Sequence, residues 1–192
     1  MGFDPNGVHG PNQGDRLNLY ALVIYLPDPL ARFLDELRLE MVPDCNPHAH
    51  ISVLPPRPLP AGTGHAIEEA RQLVAGFAPF DIELGRIEIF PVTDVIYISV
   101  EDGEQQLRQM HRTLNQGALA FEEPFPYHPH ITLAQGLEGA QVGPLLDLAS
   151  SRWREFRGRR SFHADRTVFV QHECGDQWID LAEGRLRSVP VG

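Results

Sequence analysis

With 192 residues, 42% of them hydrophobic and 22% charged, the chain suits one domain, or two intimately packed lobes, around a real core. Its net charge of −10 and complete lack of lysine disfavour long nucleic acid as a partner and remove Schiff-base and P-loop lysine chemistry. No apolar run is long enough to cross a bilayer and no basic-then-apolar leader opens the chain, so a cytoplasmic protein with no membrane and no long-DNA partner is expected.

Residues 1–16, rich in Gly, Pro and Asn, are expected to form an irregular arm. Leu17–Leu26 is an apolar, β-rich run stopped by Pro27. A helix capped by Asp28 follows, with Leu30, Phe33, Leu34, Leu37 and Met41 at helical spacing and Pro43 as its stop. His48–Leu54 reads as a strand broken by PPRPLP, and Thr63 as the cap of a helix running to about Phe77. Phe80–Phe90 alternates, then slips phase at Gly85, which predicts a bulge. Val95–Val100 is a strand, Gly103–Leu119 a helix and His128–Ala134 a strand. Val142–Phe156 is a helix with Pro144 in its first turn, and Ser161–Gln171 and Gln177–Leu181 are closing strands joined through Cys174-Gly175-Asp176. Strand–helix–strand therefore occurs twice, which predicts an α+β, bilobal, duplicated fold. Two sheets flanked by helices would meet around a central cleft with pseudo-two-fold symmetry. One interleaved domain over 17–182, followed by a tail at 183–192, is the expected organisation.

The repeat carries a motif. HISV occupies His50–Val53 and HITL occupies His130–Leu133, on equivalent strands 80 residues apart. Residues i and i+2 of a strand share a face, so His50 and Ser52 point one way while Ile51 and Val53 point the other. His130 and Thr132 do the same against Ile131 and Leu133. Each strand has an apolar side to bury and a polar side to line a cleft. Two such strands face to face would offer two imidazoles for proton transfer near neutral pH and two hydroxyls for phosphate oxygens. Chemistry of that kind at phosphorus requires neither metal nor cofactor.

These residues resemble the 2H phosphoesterase superfamily and, within it, the 2′-5′ RNA ligase-like cyclic phosphodiesterases, whose signature is His-x-(Ser/Thr)-apolar written twice. The resemblance runs from Leu17 to about Leu181. It implies a bilobal α+β fold and metal-independent cleavage of 2′,3′-cyclic or 2′-5′ phosphodiesters of nucleotides or RNA ends, reversed to ligation in some relatives. It also implies His50 and His130 as the acid/base pair, in either assignment, and Ser52 and Thr132 as phosphate-oxygen donors.

Around the motif, Arg57 is the best-placed cation for a phosphate, Phe125 and Tyr127 are candidate base-stacking or wall residues, and His48 and His128 are candidate rim groups. Four imidazoles on two strands also fit a metal hydrolase, although no carboxylate accompanies either pair. A non-catalytic nucleotide- or RNA-end-binding module is a further alternative. The GTGH turn at Gly62–His65 reads as a plain helix start. RWREFRGRR at Arg152–Arg160 reads as a helix end with core aromatics and solvated arginines, a stacking patch for polynucleotide being the other reading. Cys45 and Cys174 are too few for a disulfide framework. His65, His111, His163 and His172 lack motif context and are expected at the surface.

Overall fold

The first strand, β1 (Arg16–Tyr25), is apolar without a break from Leu19 onward because that part lies inside a sheet, flanked by β2 (His50–Arg57) on one side and β7 (Arg166–Glu173) on the other. This computed structural model describes residues 16–60, 62–174 and 177–187; the expected N-terminal arm, the tip of the last hairpin and the end of the tail lie outside them. Between β1 and β2 stands α1 (Leu30–Met41), which buries Leu30, Leu34, Leu37 and Met41, a stripe at helical spacing. The N-cap is Pro29 and not the expected Asp28, which stands one residue earlier and accepts the backbone N–H of Arg32 at 3.2 Å.

The remaining elements are α2 (Thr63–Val74), β3 (Phe80–Ile89), β4 (Ile96–Val100), α3 (Glu104–Leu114), a single 3₁₀ turn at Gly117–Leu119, β5 (His130–Ala134), α4 (Gly139–Glu155), β6 (Ser161–Ala164) and β8 (Gln177–Arg185). Two antiparallel four-stranded sheets result, ordered β2-β1-β7-β8 and β5-β4-β3-β6. The fold is the expected α+β one. Each motif strand is an edge strand, β2 and β5 lie against each other, and the crossover helices are exchanged: α1 packs on β5, α3 on β2. Residues from both halves share one core, including Ile51 and Val53 of the first motif with Ile131 and Leu133 of the second.

Several boundaries differ from the sequence reading, each for a physical reason. The expected strand Ser161–Gln171 is two strands in different sheets. The chain crosses at Asp165, and the buried alternation slips from Phe162 and Ala164 to Thr167 and Phe169. Strand β2 runs through Pro55 and Pro56, because an edge strand tolerates prolines that remove no ladder bond. Helix α3 stops at Leu114: Asn115 leaves helical geometry, and its side chain exchanges two bonds with the backbone of Phe121, at 2.9 and 3.1 Å. β8 continues to Arg185 and Leu186 is buried, so the expected tail begins inside a strand. Thr63 is the first residue of α2 rather than its cap, its hydroxyl meeting Tyr20 at 3.0 Å. The bulge expected near Gly85 is present, as a register shift between Leu84 and Ile87.

Candidate active site

The alternation that places the motif side chains is visible in the burial. Ile51, Val53 and Ile131 are fully buried and Leu133 nearly so, while His50, Ser52, His130 and Thr132 are half-buried on the opposite faces of their strands. Both imidazoles are fixed by the same device: the Nδ1–H of His50 donates to the carbonyl of His48 at 2.6 Å, and that of His130 to the carbonyl of His128 at 2.6 Å. A carbonyl only accepts, so each neutral ring keeps its proton on Nδ1 and presents the Nε2 lone pair. The acceptor is in each case a main-chain carbonyl two residues upstream, which any residue there would supply, so the bond gives the rings of His48 and His128 no part in it.

Burial disfavours the charged form of both rings. His50 is pushed down from 6.5 to about 4, first by burial and then by the charges of Arg38, His48 and His130. His130 is also lowered, again first by burial, with the charge of His128 adding to it. The two motif histidines are thus close enough for one to feel the charge of the other. Arg38, on α1, was not singled out by the sequence. It is half-buried, with Nε out of contact with water and without a hydrogen-bond partner among the described residues. Asp35, one turn earlier on α1, is raised by burial, with the Ala49 backbone and the charges of His48 and Arg38 acting against that rise.

The rim histidines differ. His48 stacks on Tyr25, with centroids 3.7 Å apart and planes at 7°, and Tyr25 in turn presents an edge to His50 and donates its hydroxyl to Asp180 at 2.7 Å. His128 and His130 instead meet Phe90 and Tyr97 in edge contacts at 5.1 to 5.5 Å. A cavity of about 610 Å³ opens beside the second motif, walled by His128, His130, Thr132, Tyr127, Phe125, Phe90, Phe121 and the prolines Pro55 and Pro56 of β2. Its wall does not include His50 or Ser52. Phe125 is 57% exposed at this cavity. A second cavity, about 770 Å³, lies on the far side of Tyr25 among Asp165, Arg166, Asp180 and Glu183.

Arg57 is not where a phosphate could meet it. It is 1% exposed, ion-paired with Glu123, and bonded to Asn115 Oδ1 at 2.7 Å, the Leu119 carbonyl at 3.0 Å and the Pro55 carbonyl at 2.9 Å. The proximity in sequence that suggested phosphate contact instead reflects a strand end that fastens one lobe to the other. Tyr127 has one ring face covered by His111, centroids 3.9 Å apart and planes at 2°, and its hydroxyl donates to the carbonyl of Ser52 at 2.9 Å. His111 is accordingly no surface histidine: its side chain is 11% exposed and its Nε2 lies 2.8 Å from Glu123. No isolated sequence signal marked it, because its partners come from a loop folded back onto α3.

The four motif-strand histidines do not assemble into a ligand set; among the described residues no group of three or more His, Cys, Asp or Glu is placed to hold a metal ion. The Arg152–Arg160 segment is a helix end, as favoured from the sequence. Trp153 is buried and stacked with Phe156, Arg160 lies 4.3 Å over Trp153, and Arg152 pairs with Glu40 and Glu155. Cys45 and Cys174 are free thiols. Among the described residues no helix is long and apolar enough to cross a membrane.

Comparison with known proteins agrees with this architecture. Escherichia coli LigT complexed with 3′-AMP superposes with a TM-score of 0.61 at 17% identity, covering 91% of this chain and 99% of that one. TT0787 of Thermus thermophilus superposes with a TM-score of 0.62 at 16% identity, over 88% and 98%. In sequence, the chain is 37% identical over 81 residues to "Putative phosphoesterase OB1230" of Oceanobacillus iheyensis, a match to 42% of this chain and about half (47%) of that protein. It is 27% identical over 131 residues to GK0864 of Geobacillus kaustophilus, which carries the same description, covering 64% and 72%. The model of the 2′-5′ RNA ligase superfamily matches residues 26–178, which contain both His-x-(Ser/Thr) motifs and all of the β5-β4-β3-β6 sheet, with β2 and β7 of the other, and the chain belongs to that family.

Proposed function

We propose that the protein is a metal-independent phosphodiesterase that opens 2′,3′-cyclic phosphates, or cleaves 2′-5′ linkages, of nucleotides or RNA ends, with His50 and His130 as its proton-transfer pair. The observation that carries the reading is the matched fixing of two imidazoles on abutting edge strands, each with Nδ1 tied to a carbonyl and Nε2 left to act. A nucleotide as ligand class is supported by the solved complexes of LigT, a fold relative, with 3′-AMP, NADP+ and ATP.

The unequal depression of the two rings suggests their roles. His50, lowered to about 4, is the stronger candidate for the neutral base that takes a proton from water. His130 is the candidate acid that protonates the leaving 2′- or 3′-oxygen. A phosphodiester anion lying between them favours a protonated ring and supplies His130 with its charge. Water oxygen bonds to phosphorus, the ring P–O bond breaks, one proton passes to His50 and one leaves His130, so the pair ends with its protonation exchanged. Ser52 and Thr132 are the donors to the non-bridging oxygens. Run backwards, the same steps join a 2′-hydroxyl to a phosphate.

The test is a screen of nucleoside 2′,3′-cyclic phosphates, 2′-5′ dinucleotides and ADP-ribose cyclic phosphate in EDTA, with the phosphate position of each product identified. Turnover that survives the chelator, and is lost in His50→Ala and in His130→Ala, is the expected result. Full turnover in both variants overturns the reading.

A further inference from the structure

A closed circuit of contacts leaves β2 at Ser52 and returns to it at Arg57. The Ser52 carbonyl accepts the Tyr127 hydroxyl at 2.9 Å, the Tyr127 ring lies flat on His111, His111 donates to Glu123 at 2.8 Å, and Glu123 Oε1 also accepts from Arg57. Apart from its two ends on β2, every member belongs to α3 or to the loop that leads into the second motif. We propose that this circuit is a positioning clasp, in which Tyr127, backed by His111 and Glu123, sets the place of His130 relative to the His50–Ser52 strand.

Three features make the chain from Tyr127 to His130 stiff enough for that work. The Tyr127 carbonyl is held by Arg108, Pro129 has a fixed φ, and His130 is bonded to the carbonyl of His128. The distance along the chain is short, so a shift at the Tyr127 hydroxyl is passed on to the His130 ring instead of being absorbed by a flexible loop. Proton transfer at phosphorus is sensitive to such shifts, a misplacement of about 1 Å being worth on the order of 100-fold in rate. The clasp also explains why a buried arginine stands at the end of a motif strand. Arg57 anchors the far end of the same strand to the same loop, through Asn115 and Leu119 as well as Glu123. Tyr127 is on this account a positioning residue, and its place in the cavity wall follows from where its hydroxyl must reach.

The inference rests on the proposed phosphodiesterase reading for its kinetic arm and is independent of it for its second arm. Tyr127→Phe keeps the ring on His111 and deletes only the hydroxyl. Expected is a fall in kcat of about 10-fold with a nucleoside 2′,3′-cyclic phosphate while KM stays within about two-fold. A rise in KM with kcat unchanged overturns the clasp in favour of direct substrate contact. Unchanged kcat and KM, in an assay where His50→Ala is inactive, overturns the clasp and leaves the phosphodiesterase reading standing. The second arm follows isotope-labelled histidine by NMR and needs no turnover. His130→Gln removes a positive charge near His50 and raises the pKa of His50. In the Tyr127→Phe background that rise is expected to shrink, because the two rings are less closely held. An identical rise in both backgrounds overturns the clasp even if the parent protein turns over no diester, an outcome that by itself would sink the phosphodiesterase reading.

Discussion

The two motif copies share a backbone device and differ in everything that surrounds it. In each, a histidine two residues upstream lends its carbonyl to the motif Nδ1, and a hydroxyl residue follows on the same face. His50, however, stands near the cation of Arg38 and beside Tyr25, whose hydroxyl is held by Asp180. His130 stands against the rings of Phe90 and Tyr97 at the wall of an apolar cavity. The two copies therefore share a backbone geometry while their surroundings differ, and on the proposed mechanism that difference is what would give the two imidazoles separate roles.

The harshest way to break the comparison is to remove either ring. His50→Ala and His130→Ala are each expected to lower kcat/KM for a nucleoside 2′,3′-cyclic phosphate by about 10²–10⁴-fold, with a thermal midpoint close to the parent's. Glu123→Ala strikes the shared fastening instead. It leaves the Arg57 guanidinium buried and unpaired, and unfolding in urea should show a loss of about 3–5 kcal/mol. Ser52→Ala and Thr132→Val each delete one of the proposed phosphate-oxygen donors, and a loss of about 10²-fold in kcat is expected from either. A value near parent for one of them would make the two copies unequal in this role as well.

Acid stability sharpens the comparison further. The folded-state pKa of His50, about 4, lies below its ordinary 6.5, so the unfolded chain binds the extra proton first as pH falls. The protein loses up to about 3 kcal/mol through this residue between those two values, and none above them. His50→Gln should flatten that part of a stability–pH profile measured by urea titration. In kcat/KM, the base needs to be neutral and the acid protonated. The profile should therefore peak below pH 6.5, with its acid limb near 4 set by His50 and its alkaline limb set by His130. The smallest expected effect comes from Arg38→Met. Removing that cation raises the pKa of His50 and moves the acid limb upward with it, read from the rate profile or from histidine NMR.

Residue order alone disclosed the repeat, the edge between apolar and polar faces of each motif strand, the helices with their buried stripes and the bulge near Gly85. Those features depend on side-chain periodicity, which is local and survives in any context. It also brought Arg57 forward for the wrong duty. A cation next to a motif looks like a phosphate ligand until the fold shows Glu123, Asn115 and Leu119 closing around it. His111 and Arg38 went unmarked because nothing in their own neighbourhoods distinguishes them. Their partners lie on Tyr127 and Glu123 in one case, and beside His50 in the other.

The sequence by itself singled out the candidates for the proposed chemistry: two His-x-(Ser/Thr) pairs, each on a strand with one apolar side, placed in equivalent halves. Only the tertiary structure decided that β2 and β5 are abutting edge strands, that the crossover helices exchange lobes, and that burial holds His50 lower than an ordinary imidazole. The physical reason is range. Alternation and helical spacing act within a few residues, whereas desolvation and charge act through space, among groups that the chain brings together only when both sheets have formed.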